Sequence, residues 1–166
     1  MQITAKINGE VVAKSTSTVS EIKTRRGAIM AMANQLLESD LPKVDCPLVH
    51  RFAEGIYIRE IFMPADTFII GKIHATNHFN EVISGECRVI TPTSNKAEYH
   101  KAGDIFVSEA GVQKVVYCLT DVVWRTIHLN PTNTQDIDTI ESFVISDDYE
   151  SLPHDELIEN CKRILL

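Results

Sequence analysis

The chain lacks most of the short motifs that announce a chemistry. No CxxC pair occurs. Cys46, Cys87, Cys118 and Cys161 stand far apart, so the expectation in a reducing compartment is four free, largely buried thiols. No motif spacing sets any of them beside an imidazole, which argues against a catalytic cysteine. There is no Gly-rich phosphate loop and no GxSxG elbow. Positive charge is scarce, with 16 Lys and Arg against 23 Asp and Glu and a net charge of −7, so bulk nucleic-acid binding is not expected. A local basic pocket stays compatible with that balance. No apolar run is long enough to span a membrane. The opening residues Met1-Gln2-Ile3-Thr4-Ala5-Lys6 are not a charged start followed by an apolar stretch, which predicts a cytoplasmic protein. Internal repeats and low-complexity tracts are also missing.

What is present suits one domain with modest extensions. The 166 residues are 44% hydrophobic, enough to bury a core. Residues 1–48 predict an N-terminal hairpin turning at Asn8-Gly9, a helix over 20–39 and a connector over 40–48. The helix rests on Ile22, Ile29, Met32, Ala33 and Leu36 at helical spacing, with Ser17, Thr18 and Ser20 as candidate caps. Residues 49–146 predict short strands over 55–63, 67–75, 82–91, 97–100, 104–109, 112–118, 122–129 and 139–146. They are punctuated by turns such as Ser84-Gly85, Gly103-Asp104 and Ala110-Gly111. Many short strands so punctuated predict an all-β sandwich or closed barrel. Residues 147–166 predict a C-terminal helix capped by Ser151, with Leu157, Ile158, Cys161, Ile164 and Leu165 as its apolar stripe.

Two blocks carry the most information: GKIHATNHFNEVISGE over 71–86 and GDIFVSEAGVQK over 103–114. With HRFAEGIYIREIFMPADTFII before them and VVWRTIH after, this text resembles the cupin superfamily. More narrowly, it resembles the small cupin-type proteins of tailed phages. The resemblance covers about half the chain. It implies a double-stranded β-helix, or jelly-roll, barrel with a pocket at one mouth, and it implies no particular reaction.

In the general cupin pattern two His lie two apart on one strand, a Glu follows the turn, and a final His comes from the second block. Anchored on Gly85 and on Gly103-Asp104, those positions carry Lys72, His74, His78 and Lys114. Strand alternation puts Lys72 and His74 on one face, and His78, Asn80 and Val82 on one face of the returning strand. An ammonium has no lone pair to give, and two of them repel a divalent cation. Each is also expected to lower the other's pKa. The substitutions therefore favour a metal-free pocket in which Lys72 and Lys114 hold negative charge while His74, His78 and Asn80 supply directional hydrogen bonds. Trp124 is expected to stack on a planar ligand.

Other readings stay open. Lys72 and Lys114 can reach solvent without a function. His74, His78 and His128 can form a relocated three-histidine site for a single divalent metal such as zinc, iron or manganese, with Glu81 or His100 nearby. As a metal-free enzyme of the sugar-nucleotide epimerase or isomerase kind, the chain would use His74 as base, Tyr117 as acid and Lys72 to stabilise an enolate. The leading expectation is a phage-type cupin that binds, and sequesters, a small nucleotide-like or sugar-phosphate-like anion in the host cytoplasm. The expected assembly is a homodimer.

Overall fold

The computed structural model describes residues 3–7, 10–14, 18–38, 40, 43–94 and 96–149, with side chains from 18 onward. Two strands, β1 (Ile3–Ile7) and β2 (Glu10–Lys14), pair antiparallel with Ile7 opposite Glu10. The residues between them, including the expected Asn8-Gly9 turn, lie outside the described residues, as does the helix expected from Ser151 onward.

Helix α1 (Val19–Glu38) starts on a capping box. The Glu21 backbone N–H donates to Thr18 Oγ1, and Glu21 Oε2 accepts from the Thr18 N–H at 2.6 Å. Thr18 is thus the cap among the three candidates.

Ten further strands follow: β3 (Leu48–Ala53), β4 (Gly55–Met63), β5 (Phe68–Ile70), β6 (Ile73–His74), β7 (His78–Ser84), β8 (Glu86–Ile90), β9 (Glu98–Lys101), β10 (Ile105–Ser108), β11 (Val115–Cys118) and β12 (Val122–Asn130). They form a five-stranded sheet in the order β10-β7-β12-β4-β3 and a four-stranded sheet in the order β5-β11-β8-β9, with β6 apart. Strands that follow one another in sequence repeatedly cross between the two sheets, as in a jelly roll, which is the double-stranded β-helix. The reversal between β7 and β8 needs Gly85, whose φ is 85° and whose missing Cβ would lie 2.0 Å from the Asp121 carbonyl oxygen.

Several segments depart from the sequence expectation; the strand expected over 82–91, for one, is divided at Gly85 between β7 and β8. Residues 48–53, assigned in part to a connector, form edge strand β3. The stretch 67–75 breaks at Gly71-Lys72 into β5 and β6. The expected strand at 139–146 is instead helix α2 (Ile137–Val144), leaving only β13 (Ile145–Ser146), which pairs with β6. Asp136 caps α2 by accepting from the Thr139 N–H. Its Ile140 and Val144 then fall on one side, against Tyr57.

The two ends of the barrel are filled differently. Met63, Val82, Cys87, Val89, Val116, Cys118, Val122 and Trp124 make an apolar core. Toward the other end the inward positions turn polar, and α2 closes over them through the small cluster of Tyr57, Ile140 and Val144.

Candidate functional site

Strand parity selects the residues that face the barrel interior. On β12, Trp124, Thr126, His128 and Asn130 are buried and alternate with more exposed neighbours. On β7 the buried set is His78, Asn80 and Val82. His74 comes from β6, held by pairing to β13 and by its carbonyl accepting from the Gly111 N–H at 2.7 Å.

These elements bring three imidazoles together. The ring centroids of His74 and His78 are 4.0 Å apart, those of His78 and His128 4.7 Å, and those of His74 and His128 5.2 Å. One ring nitrogen from each lies within 4.8 Å of the other two. His78 Nδ1–H donates to the Thr76 carbonyl at 3.1 Å, which leaves Nε2 with the free lone pair. Nδ1 of His74 and Nδ1 of His128 are buried without a hydrogen-bond partner.

All three rings are neutral at ordinary pH. Burial, aided by Lys114, pushes His78 down to about 4 against the bond to Thr76. Burial pushes His128 down to about 3, with His78, Arg59 and Lys114 adding to it. His74 is lowered further still, by burial first and then by His78, Lys114, His128 and Arg59. Neutral imidazoles are the form that binds metals.

The fit to a metal can be judged on this geometry. Zinc–nitrogen bonds of about 2.1 Å in a tetrahedral site put donor nitrogens roughly 3.4 Å apart. A set spanning at most 4.8 Å reaches that with small side-chain rotations. Two unpartnered nitrogens in a buried polar cluster also lack any other compensation. The histidines therefore fit one divalent transition metal.

Lys114 is the opposing feature. It is buried, and its Nζ lies 3.4 Å from His78 Nε2. Burial lowers its pKa to about 8. The mutual lysine repulsion expected from sequence is not the cause, because Lys72 turns aside. Its Nζ pairs with Glu141 Oε2 on α2 at 2.7 Å, and more than half of the side chain is exposed. Lys72 remains at the rim of a cavity of about 80 Å³ that His74, Asn80, Lys114, Arg59 and Thr126 also line.

The other expected site residues are placed as follows. Asn80 is fully buried. It accepts from Trp124 Nε1 at 3.1 Å and donates to Ser108 Oγ at 2.9 Å. Indole N–H only donates, which fixes the amide orientation. Trp124 lines the cavity but is engaged in the core, edge-on to Phe106. Tyr117 does not suit the acid role. It alternates with the buried Val116 and Cys118, so it points away from the barrel interior and donates to Asp66 Oδ1 at 3.0 Å. Glu81 also faces outward, paired with Arg125 at 2.9 Å. His100 lies beside Glu98 and Asp104, away from the imidazole cluster.

Sequence reasoning missed Arg59. It shares the inward face of β4 with Tyr57, Ile61 and Met63, lines the cavity, and has a buried Nε without a hydrogen-bond partner. The parity of that strand was the available signal.

Strand order and barrel make the chain a cupin-type double-stranded β-helix. Solved structures similar to it bear related descriptions. An RmlC-like cupin family protein with a double-stranded β-helix fold from Methanocaldococcus jannaschii is 13% identical, with a TM-score of 0.42 over 56% of this chain and 90% of that one. A cupin domain from Bordetella pertussis is 14% identical, with a TM-score of 0.44 over 54% of this chain and 98% of that one. A cupin 2 conserved barrel domain protein from Leptotrichia buccalis is 14% identical, with a TM-score of 0.46 over 63% of this chain and 50% of that one. No protein-family model matches the chain, and no curated protein matches it in sequence. Among the described residues no helix is long and apolar enough to cross a membrane.

Proposed function

We propose that this barrel holds one divalent transition-metal ion on His74, His78 and His128, and binds a small oxyanion beside it with Lys114 and Arg59. The observation that carries the reading is the convergence of three neutral imidazoles, His78 and His128 buried and His74 half-buried, with two unpartnered ring nitrogens. Such a metal supplies Lewis acidity to a bound oxygen ligand. The chain's own groups do the rest. The Thr76 carbonyl fixes the His78 tautomer, α2 packs on Tyr57, whose ring lies against His128, and Lys114 offers a positive charge at the cavity wall. With a pKa of about 8, Lys114 can also give up its proton near neutral pH.

Cavity size restricts the ligand. About 80 Å³ accommodates two or three waters, at roughly 30 Å³ each, or an anion of a few heavy atoms. A nucleotide or sugar phosphate would have to lie mainly in the larger cleft beyond Lys72, between α1 and β5, of about 1180 Å³. Sequestration of a host nucleotide is therefore the weaker form of this reading. An epimerase-like mechanism is weaker again, since Tyr117 faces outward, Lys72 is paired with Glu141, and among the described residues no carboxylate bonds to His74 Nδ1.

Elemental analysis of purified, untagged protein tests the proposal. The expected result is about one zinc, iron or manganese per chain, lost in His74→Ala and in His128→Ala while circular dichroism stays unchanged. Failure of the wild-type protein to bind zinc stoichiometrically after reconstitution refutes it. One observation favours a second, metal-free reading: Lys114 Nζ already lies within hydrogen-bonding distance of the His78 Nε2 lone pair. In that case wild-type protein binds formate or sulfate without metal, and Lys114→Met abolishes the binding.

A further inference from the structure

The inner cavity and the larger cleft meet along one stretch of chain. Ile69, Gly71 and Lys72, at the break between β5 and β6, line both. The two spaces differ in character. Among the described residues the charged groups lining the inner one are Arg59, Lys72 and Lys114, and no carboxylate lines it. The outer one is walled by Leu36, Leu37, Phe68, Ile70 and Ile145. Its carboxylates, Asp66, Glu141 and Asp147, outnumber its two lysines, Lys43 and Lys72. Leu37 is 70% exposed and Phe68 54%, so apolar surface faces this cleft.

Gly71 stands at the junction without a backbone reason. Its φ is outside the left-handed range that favours glycine. A Cβ built on it would lie 3.5 Å from the Lys114 carbonyl oxygen, an ordinary contact. Any longer side chain would enter the space that Gly71 lines. Glycine at this position therefore keeps the way between the two cavities clear.

The charges set the orientation of an occupant. A small anionic head is attracted by the three cations of the inner cavity and repelled by the carboxylates of the outer cleft. An apolar body is in the reverse position. The inner cavity of about 80 Å³ has no room for it, whereas the cleft of about 1180 Å³ has both room and apolar walls. A nucleotide or sugar phosphate would set its polar body against those walls, where its hydroxyls find few partners.

We propose that the ligand is a monocarboxylate with an apolar tail. Its head lies beside Lys114 and Arg59, and its tail passes Gly71 into the cleft between α1 and β5. The assignment rests on the oxyanion site proposed above and adds the class of molecule that fills it. Each methylene moved from water onto the apolar walls should raise affinity, by up to about fourfold.

Isothermal titration calorimetry of the full chain, zinc-loaded and metal-free, with formate, butyrate, hexanoate, octanoate and 1-octanol tests it. Octanoate should bind at least about tenfold more tightly than butyrate, with hexanoate between them, and at least about tenfold more tightly than octanol. Lys114→Met should remove the advantage of octanoate over octanol. Gly71→Val, Leu37→Glu and Phe68→Glu should each remove the advantage of octanoate over butyrate, with circular dichroism unchanged. Leu37 and Phe68 are exposed, so these two variants keep the test decisive if Gly71→Val does not fold. Formate binding that depends on Lys114, with octanoate no tighter than butyrate, overturns the apolar tail and leaves the oxyanion site standing. Binding of neither formate nor octanoate removes the oxyanion site and the assignment with it. Octanol bound as tightly as octanoate overturns the carboxylate head. A chain-length gain that survives in every folded variant overturns the cleft as its origin.

Discussion

Replacing Lys114 by Met should tighten divalent metal binding, and the size of the gain should depend on pH in a calculable way. Methionine keeps nearly the length of lysine and removes its charge. A doubly charged ion at roughly 5 Å from the ammonium repels it by about 6–7 kcal/mol at an effective dielectric constant of 20. The side chain has a cheaper option. Burial has already lowered Lys114 to about 8, so shedding its proton at pH 7 costs only about 1.4 kcal/mol. Metal binding therefore expels the proton, and the deprotonation cost caps the penalty that Lys114 imposes.

The cap sets the numbers. The Met variant should bind zinc about tenfold more tightly than wild type at pH 7, about a hundredfold more tightly at pH 6, and equally at pH 9. The imidazoles add little to this slope, because His78 and His128 stay neutral down to about 4 and about 3. Competition against a chromophoric chelator from pH 6 to 9 gives the affinities. Calorimetry in two buffers of different ionisation heat counts the protons, with nearly one released per zinc at pH 7 for wild type and close to none for the variant. Parallel pH profiles for the two proteins, or weaker binding by the variant at pH 6, would refute the reasoning.

Three further outcomes follow from the same structure. Metal-free protein should lose stability as pH falls from about 6.5 to 4. A histidine whose folded pKa is depressed takes up its proton in the unfolded chain first, so stability is complete above the unfolded value and declines below it. For His78 the loss is about 3 kcal/mol, read from urea midpoints, and a His78→Gln variant should show a shallower decline. Asn80→Leu should cost roughly 2–4 kcal/mol in urea unfolding, because Trp124 Nε1 and Ser108 Oγ both lose a buried partner; a cost below about 1 kcal/mol would mean that water replaces the amide. Gly85→Ala should destabilise by roughly 2–4 kcal/mol in the same assay, since a Cβ there meets the Asp121 carbonyl at a left-handed φ.

The barrel was legible because its signals were local. Alternation and turn residues at Ser84-Gly85, Gly103-Asp104 and Ala110-Gly111 placed β4, β9, β10 and β12 to within a residue or two. The signal failed where two periods coincide over a short span. Ile140, Phe143, Val144 and Ile145 form a brief apolar, β-branched run that reads equally as strand or as one helical turn and a half. What decides it is Asp136, whose carboxylate takes up an N–H in the first turn. The misreading had a consequence for the site, because it hid Glu141. That residue exists as a partner for Lys72 only when 137–144 is a helix lying across the barrel end.

The three-histidine cluster was legible in the sequence only as an alternative to the metal-free pocket, for a reason that lies in sheet geometry. Fixed sequence spacing brings His74 and His78 together through one tight turn, and motif reading finds such pairs. His128 arrives through register. β12 is the central strand of its sheet, bonded to β7 on one side and β4 on the other, and its inward positions lie beside those of β7 whatever their separation in sequence. A third imidazole on β12 can therefore join the pair from β6 and β7, whereas the position just before β11 carries Lys114. Lys114 Nζ faces this cluster, 3.4 Å from His78 Nε2. Register thus explains why counting ligands at motif positions finds two lysines and no obvious metal site, whereas counting inward side chains by strand parity finds three histidines within 4.8 Å.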